Sequence, residues 1–206
     1  MTDLNVSIRL DPRWVEIPVR DDSDLQAWSR RTVDDGLRVR NRKESREVRS
    51  VLAAGFREMA ESARRLAFSE DAETMAAYIL APGADCVPVS VVKLHVMRAE
   101  PDATLERIAD DVIMPADARF GDPVVTDMET ANGPAIKVKQ FPIVVVSEPA
   151  EAEQQVYTLF AYLWVGPTPD IFVGVQAWFA SPVEAELAEE ALDQLASSIN
   201  VRLRAP

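Results

Sequence analysis

The chain has 206 residues, of which 48% are hydrophobic and 27% charged, and 34 acidic side chains against 22 basic ones leave a net charge of −12. This composition is typical of a folded protein with a hydrophobic core, and the negative charge disfavours a nucleic-acid binder, because affinity for nucleic acid depends on a basic surface. No apolar run reaches the roughly 20 residues of a membrane span, and the first residues do not resemble a signal peptide, so we expect a cytoplasmic protein without membrane contact.

The first third of the chain, from about residue 20 to 70, is predicted to be helical after a short extended segment at residues 14–17. Ser23 is suited to cap a first helix, whose apolar contacts are predicted to be Leu25, Trp28 and Leu37. A second helix is predicted over about residues 44–68, because apolar residues recur there every three or four positions and define one buried face. That face consists of Val48, Val51, Leu52, Gly55, Met59, Ala63 and Leu66.

The hydrophobic period then changes to two, which is typical of strands. Strands are predicted over residues 74–80, 89–98, 124–130 and 135–146. A short helix capped by Asp102 is expected between the second and the third of them. Asn132-Gly133 predicts a hairpin turn. Pro142 lacks an amide hydrogen, which predicts that its strand lies at a sheet edge or is broken by a bulge.

The last part of the chain contains a second predicted hairpin, with strands at residues 156–165 and 171–180 around the loop Gly-Pro-Thr-Pro-Asp. Both strands are apolar on both faces, which favours a central position in a sheet that is covered on two sides. A closing helix is predicted over residues 182–199, because Ser181 can cap it and Pro182 suits its first position.

Together these elements predict one α/β (α+β) domain over residues 1–206. Its sheet is expected to be mainly antiparallel, to have about six strands and to be covered by helices on both faces.

The order of elements resembles the superfold of the photosystem-II extrinsic protein and the Ran-release factor over roughly residues 75–199. The resemblance rests on Asn-Gly-Pro-Ala at 132–135 entering a long strand, on Val173-Gly174-Val175, and on Ser181-Pro182 before a terminal amphipathic helix. The N-terminal part, with Trp-Val-Glu-Ile-Pro at 14–18, is similar to uncharacterised bacterial domain families with this layout. The resemblance implies a binding or assembly factor without chemistry of its own, and it carries no functional residue over.

The single histidine and the single cysteine do not form a recognisable catalytic pattern. His95 is expected to be a half-exposed strand residue on the same face as Lys93, since no nucleophile and orienting acid accompany it. Cys86 follows Asp85, whose charge raises a thiol pKa, so we expect a small half-buried hydrophobic residue. Adjacent Asp pairs diverge in helices and strands alike. We therefore predict no catalytic residue, no metal site and no cofactor.

One candidate ligand site is an aromatic face of the C-terminal hairpin. With a loop over residues 166–170, Val165 lies opposite Ile171, so Tyr162 faces Gly174 by counting. Aromatic rings around a glycine and a glutamine can form a pocket for an apolar or amphipathic ligand, although the same rings are typical of an ordinary core. The candidate ligand-binding residues are Phe160, Tyr162, Trp164, Phe172, Gln176 and Trp178.

One candidate partner site is a basic stretch over residues 29–49, which carries eight basic and four acidic side chains while the rest of the chain has a net charge of −16. On an unbroken helix, several of its arginines align on one face. Such a face can bind an acidic partner or the acidic closing helix of a second copy, although it can equally be a solvated surface. The candidate partner-binding residues are Arg31, Arg38, Arg42, Arg46 and Arg49.

From these observations we expect a non-catalytic interaction or assembly domain that contacts a protein partner or forms a homodimer. The alternative is a domain that binds a small apolar or amphipathic ligand on the aromatic hairpin face.

Overall fold

The structure is a computed structural model that describes residues 4–18, 24–65, 72–81, 83, 85–98, 100, 102–114, 121–145 and 154–203. The first half of the chain contains β1 (Leu4–Ser7), β2 (Trp14–Glu16), α1 (Leu25–Val39), α2 (Arg46–Arg65), β3 (Ala72–Leu80), β4 (Ser90–Arg98) and α3 (Leu105–Val112). The second half contains β5 (Val124–Thr130), β6 (Gly133–Gln140), β7 (Ile143–Val145), β8 (Gln154–Val156), β9 (Thr158–Val165), β10 (Ile171–Phe179), α4 (Pro182–Ser198) and β11 (Asn200–Leu203).

Seven strands form the main sheet in the order β2-β3-β4-β10-β9-β6-β5, and every neighbouring pair is antiparallel. Two further pairs, β1-β11 and β7-β8, are also antiparallel. The predicted α+β class with a mainly antiparallel sheet is therefore confirmed. As expected from their apolar character on both faces, β9 and β10 lie inside the sheet.

Helices cover the sheet on both faces. Tyr78 and Leu80 of β3 pack in the cluster that contains the buried alanines and leucines of α4. Ala77 and Ile79 alternate with them along β3 and pack with α1 and α2 instead, since neighbouring strand residues point to opposite faces. We call the first side the α4 face. The second side, which α3 also covers at its far end, we call the α1–α3 face.

Helix caps differ in part from the expected ones. Asp24, not Ser23, accepts the backbone N–H of Ala27 at 2.9 Å and begins α1; Ser23 lies outside the described residues. The predicted cap Asp102 of α3 is replaced by Thr104, whose hydroxyl accepts the N–H of Arg107 at 3.3 Å. The predicted cap Ser181 of α4 is confirmed. At α1 and α3 the cap is a short polar side chain, as expected, but it lies one and two residues after the predicted position.

The buried face of α2 is rotated from the predicted one. Val48 is exposed, and Val51 is 72% exposed. The buried residues are Leu52, Ala53, Phe56, Ala60 and Ala63. The prediction assumed one contact surface, whereas α2 packs against α1 on one side and against β3 and β4 on another. Leu66 lies outside the described residues.

The two hairpins form where the turn residues predict them. Gly133 adopts φ +104°, a left-handed conformation that glycine tolerates, and begins β6 after the turn. The predicted strand 135–146 is interrupted at Pro142 into β6 and β7. Because β6 lies between β5 and β9, the interruption, and not an edge position, accommodates this proline.

The register of the C-terminal hairpin is one residue away from the predicted one. Gly166 donates its N–H to the carbonyl of Ile171 at 2.7 Å, and Val165 therefore pairs with Phe172. Pairing continues to residue 166 because glycine has no Cβ there; a Cβ at that position would lie 2.6 Å from Cγ2 of Ile171. As a consequence, Tyr162 pairs with Val175, while Gly174 pairs with Leu163.

None of the described helices combines the length and apolar character needed to cross a membrane.

Candidate functional site

The register places the predicted aromatic site on two different faces of the sheet. Paired residues of antiparallel strands share a face, so Phe160, Tyr162 and Trp164 lie on the α4 face, while Phe172, Gln176 and Trp178 point to the α1–α3 face. The first three side chains are each 0% exposed. The prediction of one six-residue ligand site was therefore wrong.

On the α4 face the three aromatic rings belong to the core. They pack in one cluster with Ala188, Leu192 and the other buried residues of α4. The rings of Phe160 and Phe179 meet edge to face, with centroids 6.0 Å apart. This arrangement fills the space in which a ligand was expected.

An ion-pair cluster fastens α4 to the sheet beside these rings. Lys137 Nζ donates to Asp193 Oδ1 and to Glu189 Oε1, both at 2.7 Å. Lys139 Nζ donates to Glu189 Oε2 at 2.7 Å, and the hydroxyl of Tyr162 donates to Asp193 Oδ1 at 2.7 Å. Apart from Tyr162, these residues were missed from sequence, although Lys-x-Lys on a strand and Glu-x₃-Asp on a helix each place like charges on one side.

The charges of this cluster stabilise one another's ionised forms. Burial lowers the pKa of Lys137, but hydrogen bonds to Asp193 and Glu189 outweigh burial and raise that pKa overall. Burial raises the pKa of Glu189, and its hydrogen bonds to Lys137 and Lys139 outweigh burial and lower the pKa. Burial, followed by the hydrogen bond to Asp193, raises the pKa of Tyr162. The pKa shifts of Lys137 and Glu189 therefore favour their charged forms, and the pKa shift of Tyr162 favours its neutral hydroxyl.

The prediction of a half-exposed His95 was wrong, because this side chain is 0% exposed. It lies on the α1–α3 face opposite Gly174 of β10, and its Nδ1 lies 3.2 Å from Oγ1 of Thr74. Burial, together with the charge of Lys93, lowers the pKa of His95 to about 4. The sequence correctly placed Lys93 on the same face, and burial lowers its pKa to about 8. Both groups lie in the packed interior.

Cys86 is buried more deeply than the half-buried position that was expected, and it packs in a hydrophobic cluster. Burial raises the pKa of its thiol, while the nearby Arg40 opposes that effect. A Cβ built on Gly36 of α1 would lie 3.2 Å from Sγ of Cys86, so the thiol packs closely against α1. Within the ranges that the structure describes, no group of three His, Cys, Asp or Glu side chains is placed to hold a metal ion.

The predicted arginine face does not exist as one face of one helix. Between Val39 and Arg46 the chain leaves the helix, and Asn41 adopts φ 53° there. Arg38 pairs with Asp35 at 2.6 Å and Arg42 pairs with Glu44 at 3.1 Å, both on the surface. Exposed pairs of this kind contribute little to stability or binding.

Arg40, inside the same basic stretch, has a structural contact. Its Nη2 donates to the carbonyl of Ala81 at 2.8 Å and so links the end of α1 to the end of β3.

Four arginines nevertheless converge on one groove between α1 and α2. The groove has a volume of about 530 Å³, within the size range of ligand sites, about 300–1,000 Å³. Arg30 contributes from α1, and Arg46, Arg49 and Arg57 contribute from α2. The remaining lining residues are Gln26, Ser29, Val33, Asp34, Ser50, Ala53 and Ala54. We call this the arginine groove.

Two of the five predicted partner-binding residues, Arg46 and Arg49, line the arginine groove, whereas Arg31, Arg38 and Arg42 do not. Arg30 and Arg57 were missed. A signal for Arg57 was its spacing of eight residues from Arg49, which keeps it on the same side of α2. The position of Arg30 in the groove could not be predicted from its own helix, because it depends on how α1 packs against α2.

The groove carries excess positive charge. Among the lining residues that the structure describes, Asp34 is the one carboxylate, and it accepts from Arg49 Nη1 at 3.0 Å. Arg57 reaches Glu61 only at 3.7 Å. Within the described part of the chain, Arg30 and Arg46 form no ion pair. Guanidinium groups bind carboxylates and phosphates through two parallel hydrogen bonds, so the groove is suited to an anionic ligand.

Comparison with known proteins adds no functional information, so the functional interpretation rests on the geometry described above. No protein-family model matches the chain, and no curated protein matches it.

Proposed function

We propose that this chain is a cytoplasmic, non-catalytic interaction domain that binds an acidic protein segment in the arginine groove. One observation carries the proposal: four arginines from two helices converge on a groove with one carboxylate, in a chain whose net charge is −12. The resemblance to a superfold of binding and assembly factors supports the same function.

The lining of the groove favours a protein segment as the ligand. Between the arginines lie the small side chains of Ala53 and Ala54, and the buried Ser29 and Val33 belong to the α1 side. Small and apolar side chains leave room for the backbone and side chains of a bound segment, as in helix-in-groove recognition. The negative charge of the rest of the molecule opposes the approach of a nucleic acid.

No catalytic group is needed for this function. His95, Lys93 and Cys86, which carry altered pKa values, are buried outside the groove. The alternative ligand site on the aromatic hairpin face is not proposed, because its residues are divided between two faces and three of them are packed beneath α4.

The test is binding of a fluorescein-labelled oligoglutamate peptide, measured by anisotropy at low ionic strength. We expect the double variant Arg30→Glu/Arg46→Glu to weaken binding by more than about tenfold, since each reversal replaces attraction with repulsion. The matched control Arg31→Glu/Arg38→Glu changes the net charge equally on exposed α1 residues outside the groove. It should lower affinity only slightly.

Three outcomes contradict the proposal. The wild-type protein fails to bind the peptide at low salt, the two double variants lose affinity equally, or a labelled oligothymidylate binds more tightly than oligoglutamate.

A further inference from the structure

The outer surface of α4 carries an exposed apolar pair flanked by acidic residues. Val183 is 66% exposed and Leu187 is 75% exposed, one helical turn apart. Glu186 and Glu190 are exposed on the same side of the helix, and α4 contains no Lys or Arg. We call Val183, Glu186, Leu187 and Glu190 the α4 ridge.

The α4 ridge is separate from the ion cluster that fastens this helix. Glu189 and Asp193 point inward to Lys137, so the glutamates of the ridge are not used by that cluster. Burial of the alanines and leucines on the inner side of α4 fixes the ridge outward. The ridge is therefore a preformed acidic and apolar helix surface, which lowers the entropy cost of binding.

We propose that the α4 ridge of one copy of this chain occupies the arginine groove of a second copy. This inference rests on the proposed function, because it names the acidic segment that the same groove binds. The two surfaces are complementary in two respects. In the proposed contact the glutamates of the ridge approach Arg30, Arg46 and Arg57, and Leu187 packs on Ala54, an exposed small residue of the groove lining.

The positions of the groove and the ridge in the fold determine how several copies can associate. The groove lies on the α1–α3 side of the sheet and the ridge lies on the α4 side. One neighbour therefore cannot satisfy both surfaces of a copy, and the contact is heterologous, unlike the reciprocal contact of a twofold dimer. Each added copy leaves one free groove and one free ridge, so association is head-to-tail and continues past a pair, either as an open chain of copies or until its ends meet in a ring. An assembly of this kind differs from a homodimer, which the sequence left open beside a protein partner.

The first experiment is sedimentation velocity of the whole chain over a range of concentrations at low salt. The average mass should rise continuously from the 22.8 kDa of one copy past that of a pair. It should return to one copy at about 1 M salt, where the screening length falls to about 3 Å. A wild-type protein that stays monomeric at all concentrations, or stops at a dimer, overturns the proposal.

The second experiment uses two variants that each keep one surface. Arg30→Glu/Arg46→Glu removes the groove but keeps the ridge, whereas Glu186→Arg/Leu187→Arg removes the ridge but keeps the groove. Each variant alone should be monomeric, since association weakens by more than about tenfold. Mixed together, they should form a pair and grow no further, because the pair has no remaining intact surface of either kind.

A control and an independent readout separate this proposal from the preceding one. Asp110→Arg/Asp111→Asn changes the net charge by +3, as the ridge variant does, on exposed residues of α3 and should assemble like the wild type. If the mixture of the groove variant and the ridge variant forms no pair, the α4 ridge is not the occupant of the arginine groove. If oligoglutamate still binds the groove in that case, the proposed function stands and only the second copy as ligand is rejected.

Discussion

Lys137 and Tyr162 lie opposite each other on β6 and β9 and share one carboxylate oxygen. Both donate to Oδ1 of Asp193 on α4 at 2.7 Å. The lysine Nζ also lies 5.7 Å from the centre of the tyrosine ring. Asp193 therefore accepts hydrogen bonds from a charged ammonium group and from a buried hydroxyl of the sheet. Since these two donors lie side by side only in the observed register of β6 and β9, the position of α4 depends on that register.

Replacing Asp193 by Ala should destabilise the protein by about 1–3 kcal/mol, because the buried hydroxyl of Tyr162 loses its acceptor and Lys137 loses one of its two carboxylates. The measurement is urea unfolding at neutral pH, followed by tryptophan fluorescence. The control is Asp110→Ala, which removes an exposed acidic side chain of α3. It should change the free energy of unfolding by less than about 0.5 kcal/mol. Equal effects of the two substitutions would show that the shared carboxylate does not stabilise α4.

Trp164 lies wholly within the core of the α4 face, and Trp164→Ala should cost about 3–5 kcal/mol of unfolding free energy. The loss comes from removed apolar contacts and from the cavity that remains beneath α4. Leu187→Ala, on the exposed side of α4, should stay within about 0.5 kcal/mol of the wild type. Thermal unfolding followed by circular dichroism measures both. A mild effect at Trp164 would instead indicate a solvent-accessible pocket at this ring.

The sequence predicted the elements well because the apolar period of each segment is a local property. Strands β3 to β6, β9 and β10 and helices α3 and α4 follow the period of their own residues, and Gly133 and Ser181 mark turns and caps locally. The short strands β1 and β11, which pair across the two ends of the chain, were not predicted. The rotated face of α2 was missed because two different surfaces contact that helix. The burial of His95 was missed because it depends on the strand order, which places β4 between β3 and β10 inside the sheet.

The candidate sites were less predictable for the same physical reason. The predicted aromatic site depended on the pairing register of β9 and β10. Because Gly166 has no Cβ, pairing extends one residue further toward the loop than predicted. A shift of one residue moves every side chain of one strand to the other face relative to its partner strand. The arginine surface depended on whether the helix continues past residue 40. Two local signals marked the break: Asn41, a residue that tolerates φ > 0, and Ser45, whose hydroxyl accepts the N–H of Val48 at the start of α2. Convergence of Arg30 with Arg57 is a property of the folded helix pair.

Two Gly→Ala substitutions should have opposite signs. Gly166→Ala places a Cβ 2.6 Å from Cγ2 and 2.8 Å from the carbonyl oxygen of Ile171, so it should destabilise the protein by about 1–3 kcal/mol. Gly55→Ala, within α2, places a Cβ 3.4 Å from Cγ of Pro88, an ordinary contact. It should stabilise by about 0.4–1 kcal/mol, because alanine restricts the unfolded chain and favours the helix. Chemical unfolding of both variants measures the difference, and a stable Gly166→Ala protein would contradict the closing pair of this hairpin.

His95 should make stability depend on pH between about 4 and 6.5. Its pKa is lowered in the folded state from 6.5 to about 4. In this window the unfolded chain therefore binds the proton and the folded chain does not, so the free energy of unfolding rises with pH. The full contribution is present above pH 6.5 and is lost as the pH falls toward 4. For a shift of this size it amounts to about 3 kcal/mol.

The corresponding variant is His95→Gln, which retains a polar side chain but does not titrate in this range. Urea unfolding at several pH values should give a shallower rise for this variant than for the wild type, whatever its absolute stability, because other titrating groups are common to both proteins. Identical slopes between pH 4 and 6.5 would show that His95 titrates at its ordinary pKa, and hence that it is accessible to solvent in the folded protein.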